Sequence, residues 1–326
     1  PLTLFQLRKK HQVAVIEFGT NQFGDIRWLA QITQPTIAVF TNIGEAHLEG
    51  LRSKEGVFRE KTSLLRFFPS NGTIIYNKDD AYLRRLEKAK YPQRKVSFSF
   101  KEKSAFQANA LEYSKNTIAF KVKGRPFCLD TLALHNVYNA LSAICCGSLF
   151  KIPYNNINSS IKRFKFGSGR FEVKKAGSLN IIDDTYNSSP VAAERALEAL
   201  CDLEVKGRKV AVLGDMRELG RYAKKEHIRI GKLAGECADM LVLVGDHSGD
   251  FANGAFNGSI KKEQVYEFDK ESQASAFMLE HLKENDVILV KGSQSTRLER
   301  VVEVLMKNPE QKESMLVRQE KGWTKQ

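Results

Sequence analysis

Short apolar runs recur along this chain of 326 residues, separated by polar loops and amphipathic stretches, and each run predicts a strand. Val13-Ala-Val-Ile16 and Thr36-Ile-Ala-Val-Phe40 are apolar almost throughout, as strands covered on both faces of a parallel sheet are. Thr73-Ile-Ile-Tyr76 adds a third. Gly24 to Gln34, ended by Pro35, predicts a helix; so does Ser53 to Phe68, with Ser53 as N-cap and Pro69 and Asn71-Gly72 as stop. Asp79 to Lys90 predicts a polar helix. From about Val96 to Cys128 the residues alternate, with turn signals at Ser114-Lys-Asn116 and Lys123-Gly124, which predicts antiparallel strands. A further helix opens at His135 and runs to about Phe150.

Beyond the glycine-bearing link Gly167-Ser-Gly169-Arg170, strand and helix alternate regularly. Strands are predicted at Asn180 to Ile182, Lys209 to Leu213, Met240 to Val244 and Val287 to Val290. Helices are predicted at Pro190 to Leu203, Lys224 to Ala238, Gln273 to Lys283 and Thr296 to Met306. That order builds a parallel sheet. The expectation is an α/β chain of two domains. Residues 1–168 carry a mainly parallel sheet with a small antiparallel β part; residues 169–326 form a Rossmann-like domain with a polar tail after Asn308.

Composition narrows the function. With 42% hydrophobic and 27% charged residues the chain is an ordinary globular protein, and a net charge of +13 points to anionic partners. The basic residues are dispersed and form no arginine-rich tail, which favours small anionic ligands over nucleic acid. The five cysteines form no C-x-x-C pair, and Cys145 and Cys146, in the apolar run Ala140 to Phe150, read as buried thiols of a reducing compartment. No secretory signal and no membrane-length apolar run is visible, and a cytoplasmic monomer with no membrane span is expected.

Candidate chemistry clusters at predicted strand ends, where ligands of open α/β sheets bind. Asn42-Ile-Gly-Glu-Ala-His47-Leu-Glu-Gly50 follows the Thr36 strand, Glu17 follows the Val13 strand, and Lys61 lies on the next helix, so Glu17, His47 and Lys61 are expected to converge. Singly, each reads as an ordinary surface residue. Asn136 and Asn139, three apart at a helix start, face one side, either as a cap or as an amide pair offering both donor and acceptor. Asp183-Asp184-Thr-Tyr186-Asn187, Gly214-Asp-Met-Arg-Glu-Leu-Gly220 and Lys291-Gly-Ser293 end three strands of the second domain. An Asp-Asp pair there also suits a helix N-terminus. No dinucleotide fingerprint is present, which disfavours NAD.

Taken in order, Glu17-Phe-Gly19, the Asn42–Gly50 loop, Arg59-Glu-Lys61, His135-Asn-Val-Tyr-Asn139-Ala and Gly169-Arg170, with the strand-end clusters after them, resemble the Mur ligases. The nearest branch is the one that joins D-alanyl-D-alanine to UDP-N-acetylmuramoyl-tripeptide in peptidoglycan synthesis. The resemblance implies an ATP-dependent amide ligase working through an acyl phosphate. It implies Mg2+ at Glu17, His47 and a carbamylated Lys61, the three residues of the catalytic centre. It further implies adenine beside Asn136 and Asn139, nucleotide phosphates at Arg170, and ribose at Asp184. Asn42, Tyr186, Asn187, Lys291 and Ser293 are implied substrate contacts, and Lys291 would hold an anionic group. Ser168 stands where the family has proline, and Gln294 where it often has arginine, a place Arg297 could partly fill. Family members carry upstream a UDP-sugar domain and a G-x-x-x-x-G-K-[ST] phosphate loop; this sequence contains no such loop. The first domain is therefore expected to be incomplete, and this chain by itself inactive. Rival readings are a non-catalytic homologue, a folate or muramoyl-dipeptide ligase of the same superfamily, and a nucleic-acid binder.

Overall fold

The computed structural model describes residues 3–45, 47–114, 117–131, 134–165, 167–306 and 316–317. Its contacts separate two compact units, Pro1–Phe164 and Lys165–Gln326.

In the first unit the described elements run α1 Asp25–Thr33, β1 Ile37–Phe40, α2 Leu48–Leu51, α3 Lys54–Thr62, β2 Thr73–Asn77, α4 Arg85–Lys88, β3 Arg94–Ser99, β4 Phe106–Ser114, β5 Thr117–Val122, β6 Arg125–Leu129, α5 His135–Leu149 and α6 Tyr154–Arg163. They frame one sheet in the order β1-β2-β3-β4-β5-β6. β1 to β4 pair in parallel, and β4 to β6 are antiparallel. α5 lays Val137, Leu141, Ile144 and Cys145 on this sheet, at helical spacing, against Phe98, Phe120 and Phe127. Burial pushes the Cys145 thiol up, so it stays an inert apolar side chain.

Four expectations are corrected here. Val13 to Ile16 forms no strand, and Val15 is 92% exposed. A strand exists only through a neighbour's hydrogen bonds, and among the described residues β1 is paired with β2 alone. For the same reason β1 is not covered on both faces, since Val39 is exposed. The polar helix expected from Asp79 to Lys90 shrinks to α4. Asp80 Oδ1 accepts the amides of Tyr82 and Leu83, both at 2.9 Å, and this carboxylate turn displaces helical bonding. The antiparallel part starts later than Val96, because β3 pairs in parallel with both β2 and the start of β4. The turn at Ser114-Lys-Asn116 falls largely outside the described residues.

The second unit follows as β7 Glu172–Ala176, β8 Leu179–Asp184, α7 Pro190–Asp202, β9 Lys209–Gly214, α8 Ala223–Cys237, β10 Met240–Val244, α9 Ser248–Ala255, β11 Val265–Phe268, α10 Glu271–His281, β12 Val287–Lys291 and α11 Glu299–Leu305. The sheet order is β11-β10-β9-β12-β8-β7, parallel except for the β7–β8 pair. β10 and β12 are buried at every residue, as central parallel strands must be. α9 packs on α8 so closely that a Cβ on Gly254 would meet Ile228 O at 1.9 Å. The tail after Asn308 lies, but for residues 316 and 317, outside the described residues.

The start of this sheet is locked by Asp286, whose side chain is fully buried. Its carboxylate accepts Arg208 N at 3.1 Å and Lys283 N at 2.8 Å and pairs with Arg208 Nη2 at 2.7 Å. Burial alone would raise its pKa, but the Arg208 guanidinium and the two amides outweigh that and hold it below the usual carboxylate range. Asp286→Ala is expected to remove about 3 kcal/mol from the unfolding free energy, read by urea denaturation, because it strands a partly buried guanidinium. In the unsubstituted protein this contribution is present above the ordinary carboxylate pKa and lost as pH falls through the depressed one. The gap between the two proteins should therefore close in acid.

Candidate active site

In the first unit the loop after β1 is fixed from two sides. Asn77 Nδ2, at the end of β2, donates to Thr41 O at 3.1 Å, and Asp80 Oδ2 accepts Ile43 N at 2.7 Å. The carbonyl of the same Asn42–Ile43 peptide accepts Lys61 Nζ at 3.1 Å. Lys61 rides on α3, which Ser53 caps by accepting Gly56 N at 3.1 Å. Its neighbour Glu60, buried, accepts Gly24 N at 3.0 Å and Ile26 N at 2.8 Å, satisfying two of the free amides that open α1. Asp25 then accepts Asn21 N at 2.9 Å and Gln22 N at 3.1 Å, which folds the segment leading from Glu17 into α1.

Burial lowers the Lys61 pKa, and the carboxylates of Asp80 and Glu17 oppose that shift. The structure thus joins Lys61 to the backbone of Asn42. His47 sits further along the Asn42 loop, at the entry of α2, in the left-handed backbone region at φ 56°. That conformation is uncommon outside glycine, though histidine is among the residues enriched there.

On α5 the two asparagines do share a side. Asn139 Nδ2 donates to Asn136 Oδ1 at 3.1 Å, and Asn136 Nδ2 donates to Thr131 Oγ1 at 3.3 Å. Asn136 is buried inside the helix and does not cap it; the cap position is Leu134. Asn139 is exposed, which leaves its carbonyl oxygen facing outward from a fixed amide pair.

In the second unit, Asp183 and Asp184 end β8, and each meets a buried lysine. Asp183 pairs with Lys174 of β7 at 2.9 Å, and Asp184 with Lys291 of β12 at 2.7 Å. Lys291 also donates to Asn187 O at 2.9 Å, and Asp184 Oδ1 accepts Phe171 N at 3.1 Å. Burial pushes the Asp184 carboxyl up, more than the Lys291 ammonium draws it down. Gly169 has φ +69°, and its carbonyl accepts Tyr186 N at 2.9 Å; a Cβ there would come within 3.1 Å of that nitrogen. The close approach lets the Arg170 guanidinium lie over the exposed Tyr186 ring, 4.0 Å from its centroid. Ser293, buried, accepts Arg217 N at 2.9 Å. Gln294 is exposed, and Arg297 is tied to Glu299 at 2.6 Å.

Sequence reasoning passed over Glu60, Asp80, Lys174 and His227. His227 Nε2 accepts Met216 N at 2.9 Å and so shapes the Gly214–Gly220 loop; burial lowers its pKa and keeps the ring neutral, as an acceptor nitrogen requires. The available signal for Asp80 was its place just past a predicted strand.

Comparison with known proteins bears on this arrangement. Residues 1–147 match the family profile described as Mur ligase middle domain, and residues 169–294 match that described as Mur ligase, glutamate ligase domain. A UDP-N-acetylmuramoyl-tripeptide–D-alanyl-D-alanine ligase of Bacillus subtilis is 30% identical over 313 residues, which is 95% of this chain and 67% of the relative. The chain belongs to the Mur ligase family. Its fold agrees with that membership. A crystal structure of MurF from Acinetobacter baumannii superposes with a TM-score of 0.83 at 28% identity, covering 93% of this chain and 67% of that one. A Mur ligase structure from Thermotoga maritima, solved in complex with ADP, gives 0.75 at 25% identity over 90% of this chain and 66% of that one.

A half-buried lysine of lowered pKa reacts at a lower pH than its exposed counterparts. Pulsed acetylation followed by peptide mass analysis should show Lys61 half-modified at a lower pH than exposed Lys101, with both profiles rising as pH rises.

Proposed function

We propose that this Mur ligase is the D-alanyl-D-alanine-adding enzyme of peptidoglycan precursor synthesis, driven by ATP. The observation that carries this reading is the match along 95% of the chain to a ligase of that specificity. ATP phosphorylates the terminal carboxylate of UDP-N-acetylmuramoyl-tripeptide and leaves as ADP. The dipeptide amine then attacks the acyl carbon, and collapse of the tetrahedral intermediate breaks the C–O bond to phosphate as the C–N bond is kept.

The residues divide this work. The amide pair of Asn136 and Asn139 offers a donor and an acceptor to an adenine edge. Arg170 is permanently charged and suits nucleotide phosphate, while Asp184 suits a ribose hydroxyl. Asn42 and Lys61 face the reacting groups, and Tyr186, Asn187 and Ser293 contact substrate. Lys291 acts by holding Asp184 and Asn187 in place, since its ammonium is already neutralised.

Magnesium, when bound, supplies charge neutralisation of the phosphates and of the transferring phosphoryl group. Glu17, His47 and Lys61 would hold it. Among the described residues no ready cluster of three acidic, histidine or cysteine side chains exists, so the fit depends on Lys61. Its burial favours the neutral amine, which reacts with carbon dioxide to give a carbamate with two anionic oxygens, the donor type magnesium prefers. The tripeptide substrate and the dipeptide are the proposed partners. No described helix is long and apolar enough to cross a membrane.

The test is phosphate release by the protein expressed from its complete gene. Release should require ATP, UDP-N-acetylmuramoyl-tripeptide and D-alanyl-D-alanine together, and Lys61→Ala should lower kcat by about a thousandfold. Equal turnover with a muramoyl dipeptide or a folate as acceptor would refute the assigned specificity.

A further inference from the structure

Two consecutive carboxylates past β2 have no role in the chemistry above, yet they hold both of the residue groups that do within the first unit. Asp79 Oδ2 accepts Phe100 N at 2.6 Å, Lys101 N at 3.0 Å and the Tyr138 hydroxyl at 3.0 Å, while Oδ1 accepts Glu102 N at 3.0 Å. Tyr138 lies on α5 between Asn136 and Asn139, so its anchored phenol sets the helix rotation that presents the amide pair. Asp80 faces the other way. One oxygen closes its own turn, and the other takes Ile43 N, the amide of the very peptide whose carbonyl receives Lys61. An anion on the N–H side polarises that peptide and strengthens its carbonyl as an acceptor for the lysine amine.

We propose that Asp79 and Asp80 are paired positioning residues of the ligase reaction. Asp79, through Tyr138, places the base-recognising asparagines, and Asp80, through the Asn42–Ile43 peptide, places Lys61. Neither touches substrate. Because they are adjacent in the turn that follows β2, the spacing between base recognition and phosphoryl chemistry is set by a single peptide link. The inference rests on the function proposed above and adds a division of labour to it.

The division predicts separable defects, which a general loss of rigidity would not produce. Tyr138→Phe removes one charge-assisted hydrogen bond and should weaken ADP binding, measured calorimetrically on the protein from its complete gene, by about tenfold, with kcat at saturating ATP unchanged. Asp80→Asn keeps the shape but lacks one acceptor oxygen. It should lower kcat about a hundredfold, the effect of a small misplacement of a reacting group, and leave the ADP dissociation constant unchanged. Asn77→Asp loosens the same loop through Thr41 and should repeat the Asp80 pattern, which covers the case of an unfolded Asp80→Asn. Circular dichroism of each variant controls for folding. If Tyr138→Phe lowers kcat, or if Asp80→Asn and Asn77→Asp weaken ADP binding as much as they slow turnover, the pairing is overturned while the ligase assignment stands. An unsubstituted protein that binds no ADP overturns both.

Discussion

A carboxylate at the end of a buried parallel strand persists only if its oxygens meet donors, and this requirement organises both units. Each has an Asp-Asp pair where a parallel strand runs out. In the first unit the donors are backbone amides, a phenol and the turn that follows. In the second they are two buried lysines, together with local amides. Asp183 and Asp184, consecutive in β8, point to opposite faces, while Asp79 and Asp80 diverge in the turn after β2, so each pair secures two different neighbours at once. The loops that carry candidate chemistry are tied down by the groups these acids accept.

Much of the architecture was legible because central parallel strands have no polar face. Lys209 to Leu213, Met240 to Val244 and Val287 to Val290 read as uniform apolar runs and are buried strands in the structure. The edge strands escaped notice for the converse reason. Glu172-Val-Lys-Lys-Ala176 carries charges that an edge tolerates, and its lysine is usable only because Asp183 lies beside it. α9, with two glycines in eight residues, reads as a loop and is helical because α8 packs against it. Val13 to Ile16 failed in the opposite sense, since apolar character gives a segment a reason to pair but does not supply the neighbour.

The candidate site was legible where function demands particular side chains and obscure where it demands support for them. Asn136 and Asn139 stand out by spacing and are hydrogen-bonded to each other, while Lys61, on the helix after the Asn42 loop, donates to the Asn42 backbone carbonyl. Glu60 and Asp80 look like ordinary surface charges in sequence, because what they contact is backbone amide, to which every residue type contributes alike. Lys291 misled in a related way. A lysine at a strand end suggests a free cation for an anionic substrate, whereas its partner is an aspartate on the adjacent strand, remote in sequence.

That last pair has a bearing on how the second sheet assembles. Asp184 and Lys291 are direct partners in the β8–β12 ladder. A shift of one residue between these strands would turn one of the two charges to the opposite face and leave a buried ion alone, at a cost of about 3 to 5 kcal/mol. Runs of valine, isoleucine and leucine discriminate poorly between neighbouring alignments, so the ion pair acts as a vernier mark that singles out one of them.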